Sequence, residues 1–287
     1  MPPSRRRQNW LPYLLLIPSI VFLLIFFAYP MVEAFLLAFR DNDGGFTLEH
    51  FNTMVKDVAF TPAFRTTLIL LVLIIPLQFV LALTMALLVQ AKLKFSGLFL
   101  YIYSIPLGIS ELAAGIVWFA IFTERGYLNT ILMGLGILEK PFIFLGYENT
   151  NWIIFAIVIA EVWRATSIIM VILVAGLQAI PHEFLEAADI FGANLWQKVW
   201  RVILPLLKPS LQVALILRTI LAFQVFAVAI AIAGRGVTLL AAEAYRWYNS
   251  YRNPHVAAAY AVLILVLSIT STVLYLWGLR TPEEQSL

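Results

Sequence analysis

Pro181-His-Glu-Phe-Leu-Glu-Ala-Ala-Asp-Ile-Phe-Gly-Ala-Asn-Leu-Trp-Gln-Lys-Val-Trp-Arg-Val-Ile-Leu-Pro205 lies between two long apolar runs. Read as a helix, it places Phe184, Ala188, Phe191, Leu195, Val199 and Val202 at steps of four and three, which lines them on one face. Glu183, Glu186 and Asp189 load the opening turns with negative charge, as suits a helix N-terminus. Gly192 permits a bend or a close backbone approach. Lys198 and Arg201 come later, and Pro205 and Pro209 separate the insert from the next run. The pattern predicts a bent amphipathic hairpin over 181–209. Such a hairpin is either a docking surface for a soluble partner or an interfacial connector between two spans.

The flanking runs set the solvent. The chain has 287 residues, is 62% hydrophobic and only 12% charged, and has a mean hydropathy of +0.91. That is too little charge to cover a soluble domain, so the bilayer is the expected solvent. Cysteine is absent, which excludes disulfides, thiolate zinc sites and thiol catalysis. The net charge of +3 comes from scattered basic residues. It reads as membrane topology, with no nucleic-acid stripe.

Runs long enough to cross a bilayer number about six. They are Leu11–Leu37, Thr66–Val89, Leu98–Phe122, Trp152–Leu177, Leu206–Ala233 and Val256–Leu279. In lipid only helices and closed barrels satisfy every backbone group, and these runs exceed barrel strands. The expected fold is therefore all-α, a polytopic bundle in a single domain over 1–287. The first run comes after Arg5, Arg6 and Arg7, is longer than a signal-peptide core and lacks a small-residue cleavage site, so it reads as a retained anchor. Short-loop Lys and Arg place the N-terminus, Lys92 and Lys94, and the 178–208 insert with Lys198, Arg201 and Lys208 inside. The Thr123–Asn151 segment then falls outside, and an even span count returns the C-terminus inside, with Arg280 at its boundary. Arg235, Arg246 and Arg252 fit that scheme poorly. Tyr29-Pro30 predicts a kink in the first span, and Pro106 with Gly108 interrupts the third just before Glu111.

Glu186-Ala187-Ala188, then Gly192, then Ile203-Leu204-Pro205, resembles the EAA loop of ABC-importer permeases. Trp163-Arg164 through Ala175-Gly-Leu-Gln-Ala-Ile-Pro181 resembles that family's approach to the loop. Arg218-Thr-Ile220 and Phe223-Gln-Val-Phe226 resemble the span after it, and Gly234-Arg235-Gly236 its glycine-rich turn. Leu11-Pro-Tyr13 and Tyr29-Pro30 are similar to the maltose-type, carbohydrate-importing branch, specifically the first of its two permease subunits. The likeness covers nearly the whole chain. It departs at Phe191, where the family often has Asp, and at Ala227, where an acid is common.

The resemblance implies a mechanism. This chain and a second, homologous permease form the pore in a prokaryotic inner or plasma membrane. Two ATPase subunits, using ATP and Mg, dock on the EAA loops from the cytoplasm. An extracytoplasmic binding protein delivers sugar, a di- or oligosaccharide. Glu186, Ala187, Ala188, Gly192 and Pro205 then couple the ATPase to the pore. The chain has no Gly-x-x-x-x-Gly-Lys-Ser/Thr segment, so hydrolysis belongs to another subunit and no cofactor is expected here.

Charges within spans are costly, nominally about +2.5–3.5 kcal/mol each, and mark function or pairing. Glu161 and Arg164 sit one helical turn apart and can pair, whereas Arg218 either snorkels or finds a carboxylate. Glu111 comes directly after a helix break, a setting common around transport sites. With Trp118, Trp163, Phe223 and Gln224 it makes a candidate substrate path, since sugars take aromatic faces and planar polar groups. The competing reading is packing, or lipid contact at the interface. His50, His182 and His255 form no ligand cluster, so no metal is assigned. Rival functions are the same machinery moving a glycerol phosphate or polyol, and a proton-coupled secondary transporter using Glu111 or Glu161.

Overall fold

A computed structural model describes residues 10–41, 43–91, 94–234 and 236–279. The Arg5–Arg7 cluster, Lys92, Arg235 and Arg280 lie outside the described residues. Among the described residues the secondary structure is helical, with one isolated bridge between Arg40 and Phe46. Among the described residues five helices are long and apolar enough to cross a membrane, or six if a bent pair counts as one span.

The chain divides into two units, Met1–Lys56 with Ala244–Val262, and Asp57–Glu243 with Leu263–Leu287. The first holds α1 (Leu11–Leu23), α2 (Tyr29–Leu37) and α3 (Glu49–Lys56). Residues Leu24–Ala28 join α1 to α2 through a π-turn, with the Tyr29 N–H bonded to the Leu24 carbonyl. Pro30 is the next residue. Its missing N–H and its ring are absorbed by this wider turn, so the expected kink becomes a local change of pitch. Ala38, Ala258 and Val262 form the unit's buried cluster with Leu37, Phe39 and Phe51.

The second unit carries the candidate site residues. It contains α4 (Phe60–Gln90), α5 (Ser96–Ser104), α6 (Glu111–Phe122), α7 (Tyr127–Gly134), α8 (Thr150–Gln178), α9 (His182–Ile190), α10 (Leu195–Lys198), α11 (Leu204–Phe223) and α12 (Ala227–Ala233). The remaining helices, α13 (Leu240–Asn249) and α14 (Pro254–Gly278), cross between the units in sequence. Helix α8 is the axis. Its most apolar window is 67% buried, against 33% for α4, because neighbours cover most of its faces. One cluster joins Leu70 and Ile74 of α4 to Ala114 of α6, Ile153 and Ile157 of α8, and Val228 and Ile232 of α12. A second joins Ala82 and Ala86 of α4 to Ile169 and Leu173 of α8, and Leu207 and Ala214 of α11. Small residues let these backbones approach, as membrane packing requires. A Cβ on Gly115 would stand 3.0 Å from the Val228 carbonyl, so α6 lies directly on α12.

One expected span needs correction, and another is broken where it was expected to be. The third, over Leu98–Phe122, is interrupted after Pro106 and Gly108. A short 3₁₀ turn, Ile105–Gly108, ends the first half, and Ile109 and Ser110 are extended. The helical stretches Ser96–Gly108 and Glu111–Gly134 are bent by 101°. The fifth does not run over Leu206–Ala233. It begins at Leu195 and continues to Phe223, after which the helix breaks before α12. Pro205 and Pro209 therefore lie inside a helix and separate nothing. A π-turn over Val199–Ile203, with the Leu204 N–H bonded to the Val199 carbonyl, accommodates Pro205 as the turn before Pro30 does.

Candidate functional site

The loop is built as a corner of two short helices. Helix α9 ends at Gly192, whose φ of +70° is one glycine adopts freely. The Gly192 N–H bonds the Asp189 carbonyl and the Ala193 N–H bonds the Ala188 carbonyl, the double closure of a Schellman end. A Cβ on Gly192 would meet no atom of this chain, so the glycine is required by the turn and not by close approach within the chain. Asn194 then caps α10 in a reciprocal box with Gln197, with both bonds at 2.9 Å. Lys198 of α10 pairs with Asp189 of α9 across the corner. Three devices thus set the angle between the helices.

The predicted single apolar stripe does not exist. Ala188 is buried, while Ile190, Phe191 and Leu195 are each at least 80% exposed, because the chain reverses at Gly192. The exposed set, with Phe184, Trp196 and Trp200, forms an apolar surface at the corner. Glu186 and Ala187 are on α9, and Pro205 sits in the first turn of α11, continuous with α10 through the π-turn.

The membrane charges converge on one carboxylate. Glu161 of α8 is fully buried and accepts Arg218 Nη2 at 2.7 Å through Oε2. Its Oε1 accepts Arg164 Nη2 at 3.1 Å and Nε at 3.3 Å. Gln78 of α4 completes the set, its Oε1 accepting Arg218 Nε at 2.6 Å and its Nε2 donating to the Glu161 carbonyl at 2.8 Å. Arg164 Nη2 also reaches Glu111 Oε1 of α6 at 3.1 Å. Two carboxylates meet two guanidinium groups, so the cluster is neutral, as a buried network must be to offset desolvation. The expected Glu161–Arg164 pair is present. Arg218 does not snorkel; it is buried against Glu161. Gln78 and the Glu111 contact had no local signal, because their partners are far away in sequence.

The proposed substrate path is only partly assembled. Trp118 and Trp163 meet edge to face, with centroids 6.1 Å apart, and the Trp118 Nε1 is buried without a hydrogen-bond partner among the described residues. Glu111 lies on α6 with Trp118 but spends its carboxylate on Arg164. Gln224 is exposed at the break after α11. Phe223 is 3% exposed and packs with Leu71, Ile75 and Ala222, as in the competing reading of packing. No group of three or more potential metal ligands occurs among the described residues.

Residues 78–278 match the family described as binding-protein-dependent transport system inner membrane component. The chain is 32% identical to the trehalose/maltose transport system permease protein MalF of Thermococcus litoralis, over 94% of each chain. It is 30% identical to the sn-glycerol-3-phosphate transport system permease protein UgpA of Agrobacterium fabrum, over 91% of this chain and 92% of that one. A bacterial alginate ABC transporter, solved with an alginate pentasaccharide-bound periplasmic protein, contains a chain of the same fold. The TM-score is 0.77 at 23% identity, covering 93% of each chain.

Proposed function

The chain belongs to the binding-protein-dependent transport system inner membrane component family, and we propose from that premise that it is one permease subunit of an ATP-driven sugar importer. It forms half of a translocation pore with a second permease. Its 181–209 loop receives a cytoplasmic ATPase, and a binding protein delivers sugar from outside. The observation that carries this reading is the corner at Gly192. An exposed apolar surface spans a rigidly braced corner, and its Leu195, Trp196 and Trp200 lie on the helix that runs on through the span Leu195–Phe223. A push on that surface is transmitted along α10 and α11 into the membrane, which is what coupling requires. Apolar anchors with a charged rim are the usual means of docking a helix in a groove.

A sugar fits the interior better than a phosphate does, although a relative is a glycerol-phosphate permease. Arg164 and Arg218 are both neutralised by carboxylates, so neither is a spare cation for a dianion. The paired tryptophans Trp118 and Trp163 offer faces and an indole N–H suited to hydroxyls and C–H surfaces.

Uptake by vesicles containing this chain with a partner permease, ATPase and binding protein tests the proposal. Trehalose or maltose should enter only with ATP, and a hydrolysis-dead ATPase should abolish entry. Uptake that survives loss of the ATPase but stops with an uncoupler would replace the importer by a proton-coupled transporter. Uptake of glycerol 3-phosphate but of no sugar would replace the substrate.

A further inference from the structure

We propose that the cavity where α4 and α8 end is a binding site for a neutral polyhydroxylated ligand, a free sugar or the headgroup of a glycolipid. None of its residues belongs to the candidate substrate path. The inference takes only the side of the membrane, the cytoplasmic one, from the permease reading.

Two chain turns enclose the space. Helices α4 and α8 pack together through Ala82, Ala86, Ile169 and Leu173. Beyond that cluster α4 ends at Gln90 and α8 at Gln178, and the chain enters its next helices at Ser96 and His182. These four residues line one cavity of about 400 Å³. Small-molecule sites usually enclose roughly 300–1,000 Å³. The first turn is held in an uncommon shape. Phe95 has a left-handed backbone, φ +71°, which a bulky residue adopts only where its surroundings impose it. That conformation leads directly into α5, whose Ser96 and Gly97 face the cavity.

The lining sets the ligand class. Gln90 and Gln178 bring two amides, Ser96 a hydroxyl and His182 an imidazole. Each of these groups can both donate and accept a hydrogen bond. Among the described residues none of the four side chains is engaged in a hydrogen bond with the rest of the chain, so their capacity is free for a ligand. Val89 and Ile180 add apolar wall, a surface for the C–H face of a sugar ring. No lysine, arginine, aspartate or glutamate is among the lining residues. A phosphate or carboxylate would leave water there without a compensating charge, at a cost that a hydroxyl does not meet. Amides and a hydroxyl beside an apolar wall complement the alternating hydroxyls and C–H groups of a polyol.

The test uses the complete complex in nanodiscs free of glycolipid, without binding protein or nucleotide, its partner subunits carrying no cysteine. This chain has no cysteine of its own. Gly97→Cys places a reporter on the cavity wall, and a Cβ there meets no atom within 4 Å. Ser96→Cys serves if that variant does not assemble. Trehalose or maltose, about tenfold above its half-saturating concentration, should slow maleimide labelling of the reporter about tenfold, the share of sites left empty. Labelling of Tyr127→Cys, outside the cavity, should not change. Gln90→Ala and Gln178→Ala should each raise the half-saturating concentration about fivefold, as loss of a hydrogen bond does. Protection by a glycosyl diacylglycerol in the nanodisc, and by neither free sugar, would assign the site to a lipid headgroup. Protection by neither source, or equal protection in both glutamine variants, would overturn the site. So would protection by glycerol 3-phosphate or inorganic phosphate alone, or a reporter that does not label even without ligand. The measurement requires no transport, so failure of the proposed pore substrate leaves it standing.

Discussion

At the scale of single residues, the most consequential side chain is Glu161. Among the described residues it is the carboxylate in contact with both arginines, and Arg218 beside it is buried to 1% exposure. Glu161→Gln keeps the shape but strands Arg218, at a cost of about 3–5 kcal/mol. The expected outcome is loss of the assembled complex, read by co-purification and by a lowered thermal unfolding temperature. A stable Glu161→Gln complex would mean that water or Gln78 satisfies the arginine. The second residue is Gly192. Its left-handed backbone is tolerated by asparagine, whereas leucine there costs about 1–2 kcal/mol. Gly192→Asn should retain ATPase stimulation by the loaded binding protein and Gly192→Leu should lose most of it. Equal stimulation in the two variants would detach the loop's function from the corner angle. The αL role was visible in the sequence as a bend, but the rival reading of close approach could be set aside only with neighbouring atoms in place.

At the scale of elements, the two π-turns matter most. Pro30 and Pro205 each come two residues after the end of a π-turn, so the extra residue per turn takes up the strain of the proline ring. Proline alone suggested a separation between loop and span; the structure joins them. An inserted residue rotates the helix before the turn by about 100° relative to the helix after it. Pro205→Ala should let the turn relax to α-helix and swing Trp196 and Trp200 around the axis of α11. Folding should be unharmed, with subunit assembly near wild type. ATPase stimulation should fall, since the docking surface would point elsewhere. Unchanged stimulation in Pro205→Ala would show that the π-turn is not used to aim the loop. The break at Ile109–Ser110 was foreseeable from Pro106 and Gly108, though its 101° bend was not. Composition signals where a helix stops, whereas the angle depends on the surface against which the second half packs.

At the scale of the whole molecule, orientation is the open prediction. The loop is expected inside and the Tyr127 region outside. Phe191 and Tyr127 are both well exposed, whereas Asn194 is a capping residue and a poorer reporter. An impermeant external maleimide should label Tyr127→Cys in intact cells and leave Phe191→Cys untouched until the membrane is opened. Labelling in the reverse pattern would invert the topology and remove the docking role. By itself the sequence determined that the chain is helical and membrane-embedded, where most spans fall, that Glu161 and Arg164 sit close enough to pair, and that Gly192 marks a special backbone position in the 181–209 segment. These properties arise from composition and from spacings within a few helical turns, which the chain's own geometry imposes. Only the tertiary structure decided that Gln78, Glu111 and Arg218 join Glu161 and Arg164, that Phe223 is core, and that α10 runs on into α11. Those outcomes depend on which helices lie side by side, and on charges seeking partners in a medium where water cannot supply them; no local spacing encodes either.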